Sequence, residues 1–144
     1  MKLARASVLL VDLRLWTPFT TSFGTAHLLR RPFVLLETAE GRRGVGEIPT
    51  LPDPAYKAEV DTPAVLTSLR EWLLPGLVAA QREHGGLADI AAVRASAAWV
   101  KGAVFAKSGV EAAAWDLFAQ AAGRPLWELW GGERRTFDVG VSIG

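Results

Sequence analysis

Hydrophobic and polar positions change their spacing twice along the chain. Near the start they alternate: Leu9, Val11, Leu13 and Leu15 fall on one side, and Leu10, Asp12 and Arg14 on the other. That spacing predicts a half-buried strand. "FVLLETAEGRRGVGEI" predicts a hairpin, with Phe33 to Glu37 as one arm, Gly41 in the turn and Val45 to Ile48 as the other. Three antiparallel strands are expected from these segments.

A helical period then takes over. Asp61 or Thr62 suits a cap with Pro63 at the first helical position, and Val65, Leu66, Leu69, Leu73 and Leu74 keep the spacing of one face. Pro75-Gly76 is expected to break or kink this helix, with Leu77 to Arg82 continuing it. After Gly85-Gly86 a second helix is expected over about Leu87 to Trp99. "KGAVFAKSGVEAAAWDLFAQAAGRP" is the strongest helical segment. Val110, Ala113, Ala114, Leu117 and Ala121 share a face, and Gly123 followed by Pro125 makes a stop. Its start has two readings: a capping box from Ser108 to Glu111, or a continuous run from Ala103. "PLWELWGG" predicts one short turn more, and "TFDVGVSIG" a new strand at the end. Strands first and helices afterwards predict an α+β layer structure, a three-stranded sheet followed by a helical bundle.

Two stretches escape both periods. "TPFTTSFGTAHL", Thr17 to Leu28, carries two Phe and several hydroxyls and is longer than a plain hairpin turn. "PTLPDPAYKAEVDTP" cannot form a regular element through Pro54, because Pro49, Pro52 and Pro54 lack backbone donors. Long connections in a compact domain are often functional.

Composition narrows the chemistry. The 144 residues are half hydrophobic and 22% charged, which suits one folded domain. A net charge of +1 offers no electrostatic reason to expect nucleic acid or an anionic membrane as partner. There is no cysteine, and His27 and His84 are the only imidazoles, so thiolate chemistry and a His-rich metal site are excluded. Asp12 and Arg14 interrupt the first apolar patch, which therefore reads neither as a secretory signal nor as a membrane span, and a cytoplasmic protein is expected.

The acidic residues do not converge. Glu111 and Asp116 are five apart and point to different helix faces. Glu111 is expected to cap a helix or to pair with Lys107, and Asp116 to make a structural ion pair. Glu47 reads as a solvated or strand-pairing carboxylate, and Glu59 with Asp61 as an acidic pair without histidine support. Ser108 has no base at a useful spacing, and Gly41 to Gly44 reads as a turn, not a phosphate loop. No catalytic residue and no metal-ligand set emerges.

The segment "AKSGVEAAAWDLFAQAAGRPLWELWGG" resembles the signature region of the mandelate racemase and muconate lactonizing enzyme group of the enolase superfamily. "TPFTTSFGT" and "GVGEIPTLPDPAY" resemble the subgroup of o-succinylbenzoate synthases and N-acylamino acid (N-succinylamino acid) racemases, and "VGVSIG" is similar to the first strand of that subgroup's barrel. The resemblance implies an α+β capping domain over residues 1–135 and, from 136 to 144, the start of a TIM-type barrel that is otherwise absent. In such enzymes the barrel binds Mg²⁺ through three carboxylates, and two lysines act as acid and base in removing a proton α to a carboxylate. Lys2, Lys57, Lys101 and Lys107 match none of those lysines. The parent protein is thus expected to be an enzyme, and this chain alone to be inactive.

The resemblance also gives the two irregular stretches a role. They match two loops that close over the barrel mouth and shape the pocket around the substrate. Phe19 and Phe23 would form an apolar wall, Ser22 and Thr21 would donate hydrogen bonds, Gly24 would permit the bend, and Leu51 and Tyr56 would complete the wall. Read by themselves, the Phe residues suit burial under a loop better than a pocket wall. Ser142 matches a position near the substrate on the first barrel strand, and an ordinary strand serine fits there too. The implied partners are a small-molecule carboxylate substrate, the protein's own barrel and further copies in a homo-oligomer. Trp99, Trp115, Trp127 and Trp130 are expected to pack in the core or against that barrel, with an exposed apolar patch where it is missing. A stand-alone, non-catalytic ligand-binding or assembly module is the other reading of the same residues.

Overall fold

The computed structural model describes residues 1–22 and 24–141. Three strands, β1 (Leu3–Thr21), β2 (Gly24–Thr38) and β3 (Arg43–Glu47), form an antiparallel sheet in the order β1-β2-β3. Helices follow: α1 (Thr62–Thr67), a π-helical stretch (Ser68–Leu73), α2 (Leu74–His84), α3 (Ile90–Ala97), α4 (Val104–Ala122) and the single turn α5 (Leu126–Leu129). The architecture is the expected α+β one, with helices on one face of the sheet.

The core lies between that face and the helices. Val34 and Leu36 of β2, Ile48 just after β3, Leu69, Leu77 of α2 and Leu117 of α4 are each at most 1% exposed. α4 lies directly on β3 because glycines let it. A Cβ on Gly44 would overlap the Ala113 carbonyl, one on Gly46 the Gly109 carbonyl, and one on Gly109 the Ile48 side chain. Asp116 and Gln120 of α4 then cover the open edge of β3. Asp116 Oδ2 accepts from the Val45 N–H (3.0 Å), and Gln120 Nε2 donates to the Arg43 carbonyl (2.7 Å). An edge strand otherwise presents unpaired backbone groups to any other strand.

Several expectations need correction. Leu3, Ala6 and Val8 of β1 pack in or against the core. Ala6 and Val8 pair with Leu36 and Val34, the β2 residues beneath the helices, while Val11 and Leu15 are half-buried and Leu9 and Leu13 exposed, so register decides what is buried. Pro75-Gly76 does not end the helix: the π-helical stretch runs directly into α2, which carries Pro75 in its first turn. α4 begins at Val104, so the continuous reading holds; Ser108 lies inside it and donates to the Phe105 carbonyl. Glu111 pairs with Arg94 of α3, while Lys107 donates to the Val100 carbonyl. Asp116 bonds backbone and amide groups instead of a cation. Ala121, expected on the buried face of α4, is exposed.

The expected final strand is not formed between Thr136 and Val141, which are exposed and irregular. A lone strand has no neighbour to satisfy its backbone. Ser142 lies outside the described residues. No helix among the described residues is long and apolar enough to cross a membrane.

Candidate functional site

The first irregular stretch is not a loop. It is the far end of a long β1–β2 hairpin, extended on either side of its turn and paired on both sides of an irregularity. Phe19 pairs with Ala26, Thr20 with Thr25 and Thr21 with Gly24, after an irregularity between Arg14 and Phe19. β-branched threonines and aromatics suit paired strands, which is why Thr17 to Thr21 stay extended. The Thr20 and Thr25 hydroxyls meet at 2.9 Å, and Thr21 Oγ1 donates to the Gly24 carbonyl at 3.4 Å. Gly24 has a φ of +134°, a backbone conformation that a side chain disfavours. Further in, Arg30 holds Asp12 through two hydrogen bonds of 2.6 and 2.7 Å, which keep that carboxyl below its usual range.

This arm is apolar and uncovered. Leu9, Leu13 and Leu28 are 41–50% exposed, Phe19 63%, and Trp16 wholly so. Phe19 is therefore not core beneath a loop. Ser22 is exposed at the turn, and Phe23 lies outside the described residues.

The second stretch is a true loop, pinched at its base. The Leu51 N–H donates to the Val60 carbonyl (3.0 Å) and the Thr62 N–H to the Leu51 carbonyl (3.1 Å). Thr50 is buried; its hydroxyl donates to the Arg30 carbonyl and meets the Thr62 hydroxyl at 2.9 Å. Asp61 caps α1 by accepting from the Ala64 N–H at 3.0 Å. Between these anchors residues 52–59 are exposed. The expected site residues divide accordingly: Leu51 at the pinch is 36% exposed, and Tyr56 at the tip 70%.

Both stretches leave the same end of the sheet. The second loop departs beside Arg30 and Pro32 of β2, where the Ile48 N–H and the Thr50 hydroxyl bond their carbonyls. From Arg30 to Ala26, opposite Phe19, the strand runs about 13 Å at 3.3 Å per residue. Glu47 pairs with Arg31 at 3.5 Å, as a strand carboxylate does.

Sequence reasoning missed Trp16 and Glu59. Trp16 shares the alternation side of Asp12 and Arg14 and lies in the irregularity between Arg14 and Phe19, fully exposed. Glu59 gave no signal. It adopts a φ of 66° and accepts from the Ala103 N–H at 2.6 Å, ahead of α4. Of the tryptophans, Trp99, Trp127 and Trp130 are 43–62% exposed, and Trp115 meets Trp130 edge-on with ring centroids 5.8 Å apart.

No three acidic, imidazole or thiol groups converge among the described residues to hold a metal ion. The donors among the described residues do not fit a magnesium site, and no step through a metal follows from them.

Comparison with known proteins agrees with this fold. Residues 5–131 match the family model "Mandelate racemase / muconate lactonizing enzyme, N-terminal domain". The whole chain is 36% identical to an o-succinylbenzoate synthase of Listeria innocua and 35% identical to an N-succinylamino acid racemase of Thermus thermophilus, covering 37% of each. Among solved structures, an enolase-superfamily member from Listeria innocua superposes over 99% of this chain and 37% of its own with a TM-score of 0.85 at 31% identity. A probable mandelate racemase from Alicyclobacillus acidocaldarius does so over 90% and 34%, with a TM-score of 0.82 at 27% identity. The chain thus spans little more than a third of the relatives it matches. The chain belongs to the mandelate racemase and muconate lactonizing enzyme family of the enolase superfamily, as its N-terminal capping domain.

Proposed function

We propose that this chain is the substrate-shaping cap of an enzyme that removes a proton α to a carboxylate, either an o-succinylbenzoate synthase or an N-succinylamino acid racemase. The observation that carries this reading is the placement of two exposed elements, the hairpin tip and the pinched loop, at one end of the sheet. In a chain similar throughout its length to both kinds of enzyme, that end is where a pocket would be closed. Phe19 and Phe23 of the arm would stand opposite Leu51 and Tyr56 of the loop, and Ser22 with Thr21 would supply hydroxyls to the substrate. These groups bind, orient and exclude water. None of them is placed to take the proton.

The barrel would begin within residues 136–144, with Ser142 on its first strand. It would supply the lysines and the Mg²⁺ site and would cover the apolar arm. That is the partner which the exposed Trp16 and Leu13 suit. Homo-oligomers and a cytoplasmic location belong to the same proposal.

The test is to assay the complete product of the gene for formation of o-succinylbenzoate and for racemisation of N-succinylamino acids, with and without a chelator. One of these activities, lost on chelation, is expected. The 144-residue chain assayed by itself is expected to exchange no α proton. Exchange by the chain alone would overturn the assignment of the chemistry to residues elsewhere. Inactivity of the complete protein on both substrates, with binding of an unrelated ligand, would favour a non-catalytic module.

A further inference from the structure

Outside the arm and the core, one contact joins two residues in unfavourable backbone conformations. Among the described residues only Glu59 (φ 66°) and Ala103 (φ 50°) have a positive φ without being glycine. A side chain in that region is disfavoured and persists only where its surroundings hold it. Here each residue holds the other. Glu59 Oε2 accepts from the Ala103 N–H at 2.6 Å. Gly102 between Lys101 and Ala103 makes room, for a Cβ there would stand 2.5 Å from Glu59 Oε1. The carboxylate therefore sits in a seat formed by Gly102 and the donor of Ala103.

The seat occupies a particular place in the second loop. Leu51, Val60 and Thr62 pin the base, and Asp61 is committed to α1. Glu59 is the next anchor from that base toward the exposed tip, three positions from Tyr56. Its left-handed φ turns the backbone up into the tip while its side chain reaches back to α4. Ala103 is the N-cap of α4, and Glu59 accepts from its N–H, one of the donors that a helix start leaves without an intrahelical partner. A cap needs only an oxygen in place. It does not need a residue at positive φ in another loop, so the conformation points to a second task.

We propose that Glu59 is the positioning residue of the second loop. Seated on Gly102 and Ala103, it sets the pose in which the tip and Tyr56 are presented, without touching substrate itself. This rests on the reading of that loop as a pocket wall. In that setting Glu59 governs how tightly the substrate is held and leaves the chemical step alone.

The experiment uses the complete gene product with 3-fluorotyrosine placed at position 56, and compares Glu59→Ala, Glu59→Asp and Glu59→Gln. Fluorine NMR reports the surroundings of the tip, and steady-state kinetics separate KM from kcat. Glu59→Ala, and Glu59→Asp with its acceptor one methylene short, are expected to move the fluorine resonance. They are also expected to raise KM about tenfold at little-changed kcat, the mark of lost uniform binding. Glu59→Gln keeps an acceptor and is expected to restore both. If the resonance stays in place in the Asp and Ala variants, the proposal is overturned, whatever happens to stability or KM. Failure of Gln to restore what Ala loses overturns it too. If the resonance moves and KM does not, the seat stands and the wall reading fails.

Discussion

The two halves of the β1–β2 hairpin are made of much the same residues and meet opposite fates. In the inner half, Val34 and Leu36 are sealed under helices at 0% exposure. In the outer half, Leu13, Trp16, Phe19 and Leu28 stand in solvent. The strands pair continuously through Leu13 and Arg14 and again from Phe19, so hydrogen bonding does not separate the halves. What separates them is whether a second layer lies above. Fully burying a large apolar side chain contributes about 1.5–3 kcal/mol, and the outer half forgoes that gain within this chain. Its apolar content therefore speaks of a surface that something else covers, while that of the inner half speaks of folding.

The sharpest way to break that contrast is at the glycines that let α4 lie on the sheet and so cover the inner half. Gly46→Ala would push a methyl group into the Gly109 carbonyl, part of a helix backbone that cannot yield locally. Destabilisation by about 3 kcal/mol is expected from such overpacking, read from denaturant unfolding of the 144-residue chain. Gly41→Ala makes the control. Its φ of +83° disfavours a side chain, but nothing lies within 4 Å, so a loss of about 1–2 kcal/mol is expected. A loss at Gly46 no larger than at Gly41 would show that the close approach of α4 to β3 is not what Gly46 serves.

Asp116→Ala comes next. It removes the acceptor for the Val45 N–H, and about 1 kcal/mol should be lost in the same measurement. Trp16→Ser should change the stability of this chain by less than about 0.5 kcal/mol, since its side chain touches little. In the complete protein the same substitution should cost more, if the arm is covered there. An equal, negligible effect in both would remove Trp16 from any interface.

The inner half was readable from residue types because its signals are local and repeated. Helical spacing from Val110 to Leu117, the Gly123 stop and the Asp61–Pro63 start all survive in the structure. The buried face of β1 was not legible for a physical reason. Alternation shows that a strand has two sides, but the register with Val34 and Leu36 decides which side is buried, and register is not local. That the chain stays helical through Pro75 was not legible either, because a π-helical stretch ahead of it is invisible in composition. The arm was taken for a loop because its hydroxyls and Pro18 look like breakers. Paired threonines and the Gly24 turn make it a hairpin. Of the site, Leu51, Phe19 and Tyr56 could be picked out by their setting in unpatterned stretches. Glu59 could not, since its partner Ala103 lies forty-four positions on and offers only its backbone.

The smallest expected effect sets the two halves against each other through acid. Arg94 bonds Glu111 between α3 and α4, and that hydrogen bond lowers the carboxyl from its ordinary value of 4.5. In the outer half Arg30 does the same to Asp12, whose ordinary value is 3.8. A carboxyl lowered by folding is stabilising above its unfolded value. As pH falls from there through the folded value, the unfolded chain takes up the proton first and the contribution drains away. Both pairs are open to solvent, so added salt should weaken both. They differ in what they join. Glu111 ties two helices of the core, so Glu111→Gln should make unfolding less sensitive to acid below pH 4.5. Asp12→Asn should leave that profile nearly unchanged and loosen only the arm, seen as faster amide exchange at Leu13 and Leu29, which pair beside it. If Asp12→Asn shifted global unfolding as much as Glu111→Gln, the arm would be part of the cooperative core, and the division between the halves would be one of exposure alone.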